Sequence, residues 1–119
     1  MDTMEITKAI GAHGKWKERL RQAIQDGQRE YKPEAVEVDN LCDFGKWFYA
    51  LTAADQKSPQ WKPVQKLHAD FHKETSRILK LIYAGKTAEA VKSMEAGSEY
   101  TKISSQLTST MIAWRESLK

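Results

Sequence analysis

The sequence predicts an all-α chain folded as an antiparallel four-helix bundle, and three observations carry that prediction. Only three Pro and six Gly occur in 119 residues, while Ala, Lys, Glu, Gln and Leu are plentiful; such a composition favours helix over sheet. Apolar residues recur at three, four and seven positions along most of the chain, the period of one helix face. The periodic stretches number four and are joined by short or moderate connections, so each apolar stripe must be buried against the others.

The first helix is predicted from Met4 to about Asp26, with Ile6, Ile10, Leu20 and Ile24 on its apolar stripe and Gly27 as its stop. His13 lies on the same stripe. Gln28 to Val38 is polar, carries Pro33, and reads as a loop. Asp39 or Asn40 then caps a shorter helix running to about Ala53, whose apolar face is Leu41, Phe44, Phe48 and Leu51. Ser58 followed by Pro59 marks the start of a third helix, because the hydroxyl accepts from an orphan N–H and proline needs no donor there. Pro63 falls in the first turn or so; Val64, Leu67, Phe71, Ile78, Leu79 and Ile82 carry the face on to a C-cap at Gly85. Thr87 caps a last helix through Val91, Met94, Ile103, Leu107, Met111, Trp114 and Leu118.

Length and composition narrow the function classes. A chain of 119 residues with 40% hydrophobic content buries one core unaided, so residues 1–119 are read as a single domain. Lys plus Arg exceed Asp plus Glu by only 19 to 16, too weak a bias to argue for nucleic acid. No stretch reaches the roughly 20 apolar residues of a membrane span, and the first residues lack the basic and apolar regions of a signal peptide. One cysteine cannot form an internal disulfide, which fits the cytoplasm. The Met1 start, with no signalling helix after Lys119, points to a free-standing chain.

The chemistry sits in three short motifs: His13-Gly-Lys-Trp16, Cys42-Asp-Phe-Gly45-Lys-Trp47 and His68-Ala-Asp-Phe-His72. His68 and His72 are four apart, which on a helix sets both rings on one face about 5–6 Å apart at Cβ, close enough to share one ion. His68 shares its face with Val64 and Phe71 and so points inward, where an unpaired imidazole is costly. Gly45, one turn past Cys42, removes a side chain and permits a close approach despite its helix cost of about 1 kcal/mol. His13, Cys42, His68 and His72 together would complete a tetrahedral shell, the coordination that closed Zn2+ sites prefer.

These motifs, in this order, resemble the chemoreceptor zinc-binding domain family (CZB): a His followed three residues later by Trp16, a Cys-x-apolar-Gly-x-apolar box made by Cys42, Phe44, Gly45 and Trp47, then the HxxxH of His68 and His72. The resemblance covers residues 13 to 72, and the four ligand positions follow the pattern. It implies a helical bundle with zinc in its interior, usually homodimeric, acting as a zinc-binding regulatory or sensor domain. In such proteins metal occupancy, or oxidation of the zinc-bound Cys, is thought to alter the output of a signalling partner such as a chemoreceptor or a diguanylate cyclase. A structural-zinc interaction module with no sensing role is the alternative.

Other readings explain less. A carboxylate-bridged di-iron bundle needs Glu three residues before its His ligands, and none of the three His has one. Haem held by two His leaves a third His and the Cys unexplained. Four protein ligands leave no position for an activated water, so the chain is read as a non-enzyme. Lys62, Lys66, Lys73 and Lys80 recur along the third helix without interleaved aromatics, which reads as a solvated face and not as a nucleic-acid surface.

Overall fold

The computed structural model describes residues 3–27, 31–40 and 42–118. Among these residues there are helices and no strands: α1 (Thr3–Asp26), α2 (Pro33–Val36), α3 (Asp43–Tyr49), α4 (Ala53–Gln56), α5 (Trp61–Tyr83), α6 (Thr87–Ser93) and α7 (Glu99–Ser117). The three long helices α1, α5 and α7 pack on one another, with α3 against α1, α2 and α6 against α5. No helix is long and apolar enough to cross a membrane, among the described residues.

The helix faces follow the apolar periodicity. Ile6, Ala9, Leu20 and Ala23 of α1, Phe44 and Phe48 of α3, Val64, Phe71, Ile78 and Leu79 of α5, and Leu107, Met111 and Trp114 of α7 meet in one core. Aromatic contacts tie the short α3 into it: Phe48 stacks on Trp61 with ring centroids 4.6 Å apart and meets Trp114 edge-on at 5.9 Å. Burying several such side chains stabilises the fold by about 1.5–3 kcal/mol each before entropy is counted. Lys62, Lys66, Lys73 and Lys80 lie exposed on α5, as a solvated face requires.

Helix boundaries differ from the sequence reading in several places. The segment read as a loop contains the single turn α2, begun by Pro33 at its first position and fastened to α5 by the Ser76 hydroxyl donating to the Pro33 carbonyl at 2.7 Å; residues 28–30 of that loop lie outside the described residues. The next helix is capped by Cys42, not by Asp39 or Asn40, because the Cys42 sulfur accepts from the Gly45 N–H. It ends at Tyr49, and Thr52 caps the separate turn α4 through the Asp55 N–H; Leu41, assigned to its apolar face, lies outside the described residues. Ser58 caps nothing: the chain enters α5 through a turn in which the Trp61 N–H donates to the Ser58 carbonyl, and the first helical residue is Trp61.

The predicted last helix is two helices. Thr87 is the first residue of α6, not its cap, and Gly97, at φ 83°, takes the left-handed conformation that stops the chain continuing as a helix. Ser98 then restarts it by accepting from the Thr101 N–H. Met94 is buried as the predicted stripe has it, with Ala90 beside it in the core, whereas Val91, drawn on the same stripe, is exposed. Gly85 does end α5 as predicted, at φ 79°, with Lys86 N–H reaching the Leu81 carbonyl in the helix-terminating pattern.

Candidate metal centre

Packing α1, α3 and α5 around the core brings together four side chains that are far apart in sequence. His13 projects from the middle of α1, Cys42 stands at the N-terminus of α3, and His68 and His72 lie one turn apart on α5. Each offers one nitrogen or sulfur, and these four atoms lie within 4.8 Å of one another. The three His are buried and Cys42 is partly exposed.

The tautomers show what the cluster lacks. The Nδ1 of His13 is 2.8 Å from the Ala9 carbonyl and the Nδ1 of His72 is 2.9 Å from the Val36 carbonyl. A carbonyl only accepts, so both Nδ1 atoms carry the proton and both Nε2 atoms carry a lone pair. The His72 Nε2 in turn lies 3.1 Å from the His68 Nε2, which is 3.5 Å from the Cys42 sulfur. Several electron-rich atoms thus converge on one buried point, an arrangement that a cation stabilises and that bare imidazoles do not favour.

The spacing matches the chemistry of a small tetrahedral cation. Zinc–nitrogen bonds of about 2.0–2.1 Å and zinc–sulfur bonds of about 2.3 Å give tetrahedral edges of about 3.3–3.4 Å between nitrogens and about 3.6 Å between nitrogen and sulfur. The observed 3.1 and 3.5 Å fall close to these values, while the widest separation in the cluster, up to 4.8 Å, requires it to draw in. The donor set of three imidazoles and one thiol therefore fits zinc.

Burial sets the protonation states. The His13 pKa is lowered to about 4, first by burial and then by the neighbouring His72. His68 is lowered further, to about 2, by burial and by the two other imidazoles, and His72 is lowered by burial. All three are therefore neutral near pH 7, the form in which imidazole binds metal. Burial pushes the Cys42 thiol up, and the Gly45 N–H, donating to the sulfur at 3.2 Å, acts in the opposite direction. That hydrogen bond favours the thiolate a metal needs.

Gly45 permits this geometry. A Cβ at that position would lie 1.9 Å from the Asp39 carbonyl oxygen, so the segment bearing Asp39 packs directly on the α3 backbone. The close approach inferred from the sequence is thereby seen, with the preceding loop as the neighbour. A cleft of about 930 Å³ opens beside the cluster, lined by Trp16, Arg19 and Tyr31 together with His13, Cys42 and His72. Trp16 thus faces the cleft and supports Arg19, whose guanidinium lies 5.0 Å above its ring, whereas Phe44 meets the rings of His13 and His68 edge-on.

Three contributors around the cluster escaped the sequence reading. The carbonyls of Ala9 and Val36 are invisible to it because any residue type supplies a carbonyl. Asp39, read as a helix cap, instead places its carboxylate 3.7 Å from the His68 Nδ1.

The family model of the chemoreceptor zinc-binding domain matches residues 13–79, more than half of the chain and a span that contains all four clustered residues. No curated protein and no solved structure matches the chain. With its motifs gathered in one buried cluster, the chain belongs to the chemoreceptor zinc-binding domain family.

Proposed function

We propose that the chain is a cytoplasmic zinc-binding regulatory domain, in which His13, Cys42, His68 and His72 hold one Zn2+ and zinc availability or Cys42 oxidation is passed to a signalling partner of the chemoreceptor or diguanylate cyclase type. The observation that carries this reading is the convergence of the four donor atoms within 4.8 Å, with two imidazole lone pairs fixed inward by backbone carbonyls. Zinc would supply a dication that neutralises the thiolate and joins three helices. The reading takes the chain as one domain, homodimeric, and not an enzyme, since four protein ligands leave no site for an activated water.

The chain's own residues offer two inputs. His13, Cys42 and the α5 pair belong to separate helices, so filling the site tightens the packing of α1 and α3 on α5. Cys42 offers the second: among the four it alone is partly exposed, and it lines the cleft. A peroxide entering there would transfer one oxygen atom to the Cys42 thiolate, giving a sulfenate and water, while the three His retain their places.

Metal content and native mass of protein purified without added zinc test the site: about one zinc per chain supports it, and no zinc, with none taken up on addition, refutes it. Titration with buffered free zinc then separates sensor from structural module. A site that stays filled across the cell's range, together with a Cys42→Ala protein that responds to peroxide as the parent does, would leave only the structural role.

A further inference from the structure

His68 differs from the two other imidazoles in what stands behind it. His13 and His72 each donate from Nδ1 to a backbone carbonyl, whereas the His68 Nδ1 is fully buried and has no hydrogen-bond partner among the described residues. The Asp39 carboxylate stands close by, with Oδ2 at 3.7 Å, beyond a hydrogen bond of about 3.0 Å by a distance that a small side-chain adjustment closes. Asp39 is itself held at both ends. Its carbonyl packs against the Gly45 backbone, and the same Oδ2 accepts from the Tyr49 hydroxyl at 2.5 Å. A surface phenol, a carboxylate and the innermost imidazole therefore form one line ending at the metal cluster.

We propose that Asp39 is a positioning residue for metal binding, holding His68 with its proton on Nδ1 and its lone pair on Nε2, and that Tyr49 fixes Asp39 in turn. The inference rests on the zinc-binding reading of the site. The His68 Nε2 is the atom that faces both the His72 Nε2 and the Cys42 sulfur, so a proton there would block the centre of the cluster. A carboxylate behind Nδ1 excludes that tautomer, orients the ring and raises the basicity of the coordinating nitrogen. Because the support comes from a side chain, and not from backbone as at His13 and His72, substitution can remove it without disturbing a helix.

The test is chelator-competition titration with Zn2+ on the parent, Asp39→Asn and Tyr49→Phe, with far-UV circular dichroism and metal-free melting as folding controls, and 15N NMR of the His68 ring in the zinc-loaded parent. Asp39→Asn should bind zinc about 10–100-fold more weakly. Tyr49→Phe should lose about two- to fivefold, as expected for one hydrogen bond acting through another group. The His68 spectrum should show a protonated Nδ1. An Asp39→Asn protein that is folded and binds zinc like the parent overturns the proposal, as does a zinc-loaded parent whose His68 Nδ1 is unprotonated, a result that can be read even if the variant does not fold. A parent that takes up no zinc refutes the metal reading itself.

Discussion

Replacing Gly45 by alanine sets two effects of opposite sign against each other. Alanine inside a helix is favoured over glycine by about 1 kcal/mol. At this position, however, the new Cβ would meet the Asp39 carbonyl oxygen at 1.9 Å, its carbon at 2.9 Å and the Asn40 Cα at 3.0 Å. Ordinary contact begins near 3.4 Å, so the backbone at Asp39 must retreat by roughly 1.5 Å, and no flexible side chain is available to absorb the move. Forced overpacking costs about 1–3 kcal/mol, which outweighs the gain in helix propensity. The retreating segment leads into Cys42, and metal sites tolerate bond-length errors of about 0.2 Å, so zinc affinity should fall at least about tenfold. Gly11, inside α1 and with nothing within 4 Å of its Cβ position among the described residues, is the control: alanine there should stabilise by up to about 1 kcal/mol. Thermal melting of metal-free protein and zinc competition read both effects. A Gly45→Ala protein that melts no lower than the parent and binds zinc equally would refute the close approach on which the site's geometry depends.

Further outcomes follow from other parts of the molecule. Metal-free protein should lose stability as pH falls from about 6.5 towards 4: the unfolded chain takes up protons at the ordinary His pKa while folded His13 resists until about 4, a difference of about 3 kcal/mol for that residue. The lowered values of His68 and His72 act in the same direction, and a melting midpoint that is flat or rises between pH 7 and pH 4.5 would contradict the burial of these imidazoles. Cys42→Ala should still fold but hold zinc more weakly, and a variant with unchanged affinity in chelator competition would remove the sulfur from the ligand set. Ser98→Ala should destabilise by about 1 kcal/mol through loss of the α7 cap, whereas Ser58→Ala should stay within about 0.5 kcal/mol of the parent because its hydroxyl caps no helix; denaturant midpoints that reverse this order would return the third helix start to Ser58. Trp114→Ala, which empties a fully buried position between α7 and α3, should cost about 3–5 kcal/mol, and a loss below about 1 kcal/mol would contradict that packing.

The sequence by itself determined the helical class, most of the buried faces and the four residues that converge, because each is encoded locally. Periodicity of 3.6 fixes which side of a helix is apolar, and His68 and His72 at i and i+4 need only a helix to share a face. The first helix, the glycine stop at Gly85 and the inward direction of His13 were legible for the same reason. Cap assignments were less so. Ser58-Pro59 and Thr87 carry the composition of helix starts, yet the neighbouring turns satisfied those backbone groups, and Cys42, an unusual cap, took the role given to Asp39 or Asn40. The break at Gly97 was signalled by a glycine followed by a serine, but the apolar spacing ran across it and masked it.

Only the tertiary structure decided how the four clustered residues are supported. The 1.9 Å approach at Gly45, the carbonyls of Ala9 and Val36 behind two imidazoles, and the Asp39 carboxylate behind the third all arise between segments or from backbone atoms. Ala9 lies one turn before His13, but its carbonyl carries no mark in the residue type, and Val36 and His72 are separated by 36 residues. A buried donor must be paired wherever the packing leaves it, and which atom pairs with it is set by three-dimensional proximity that no local pattern records.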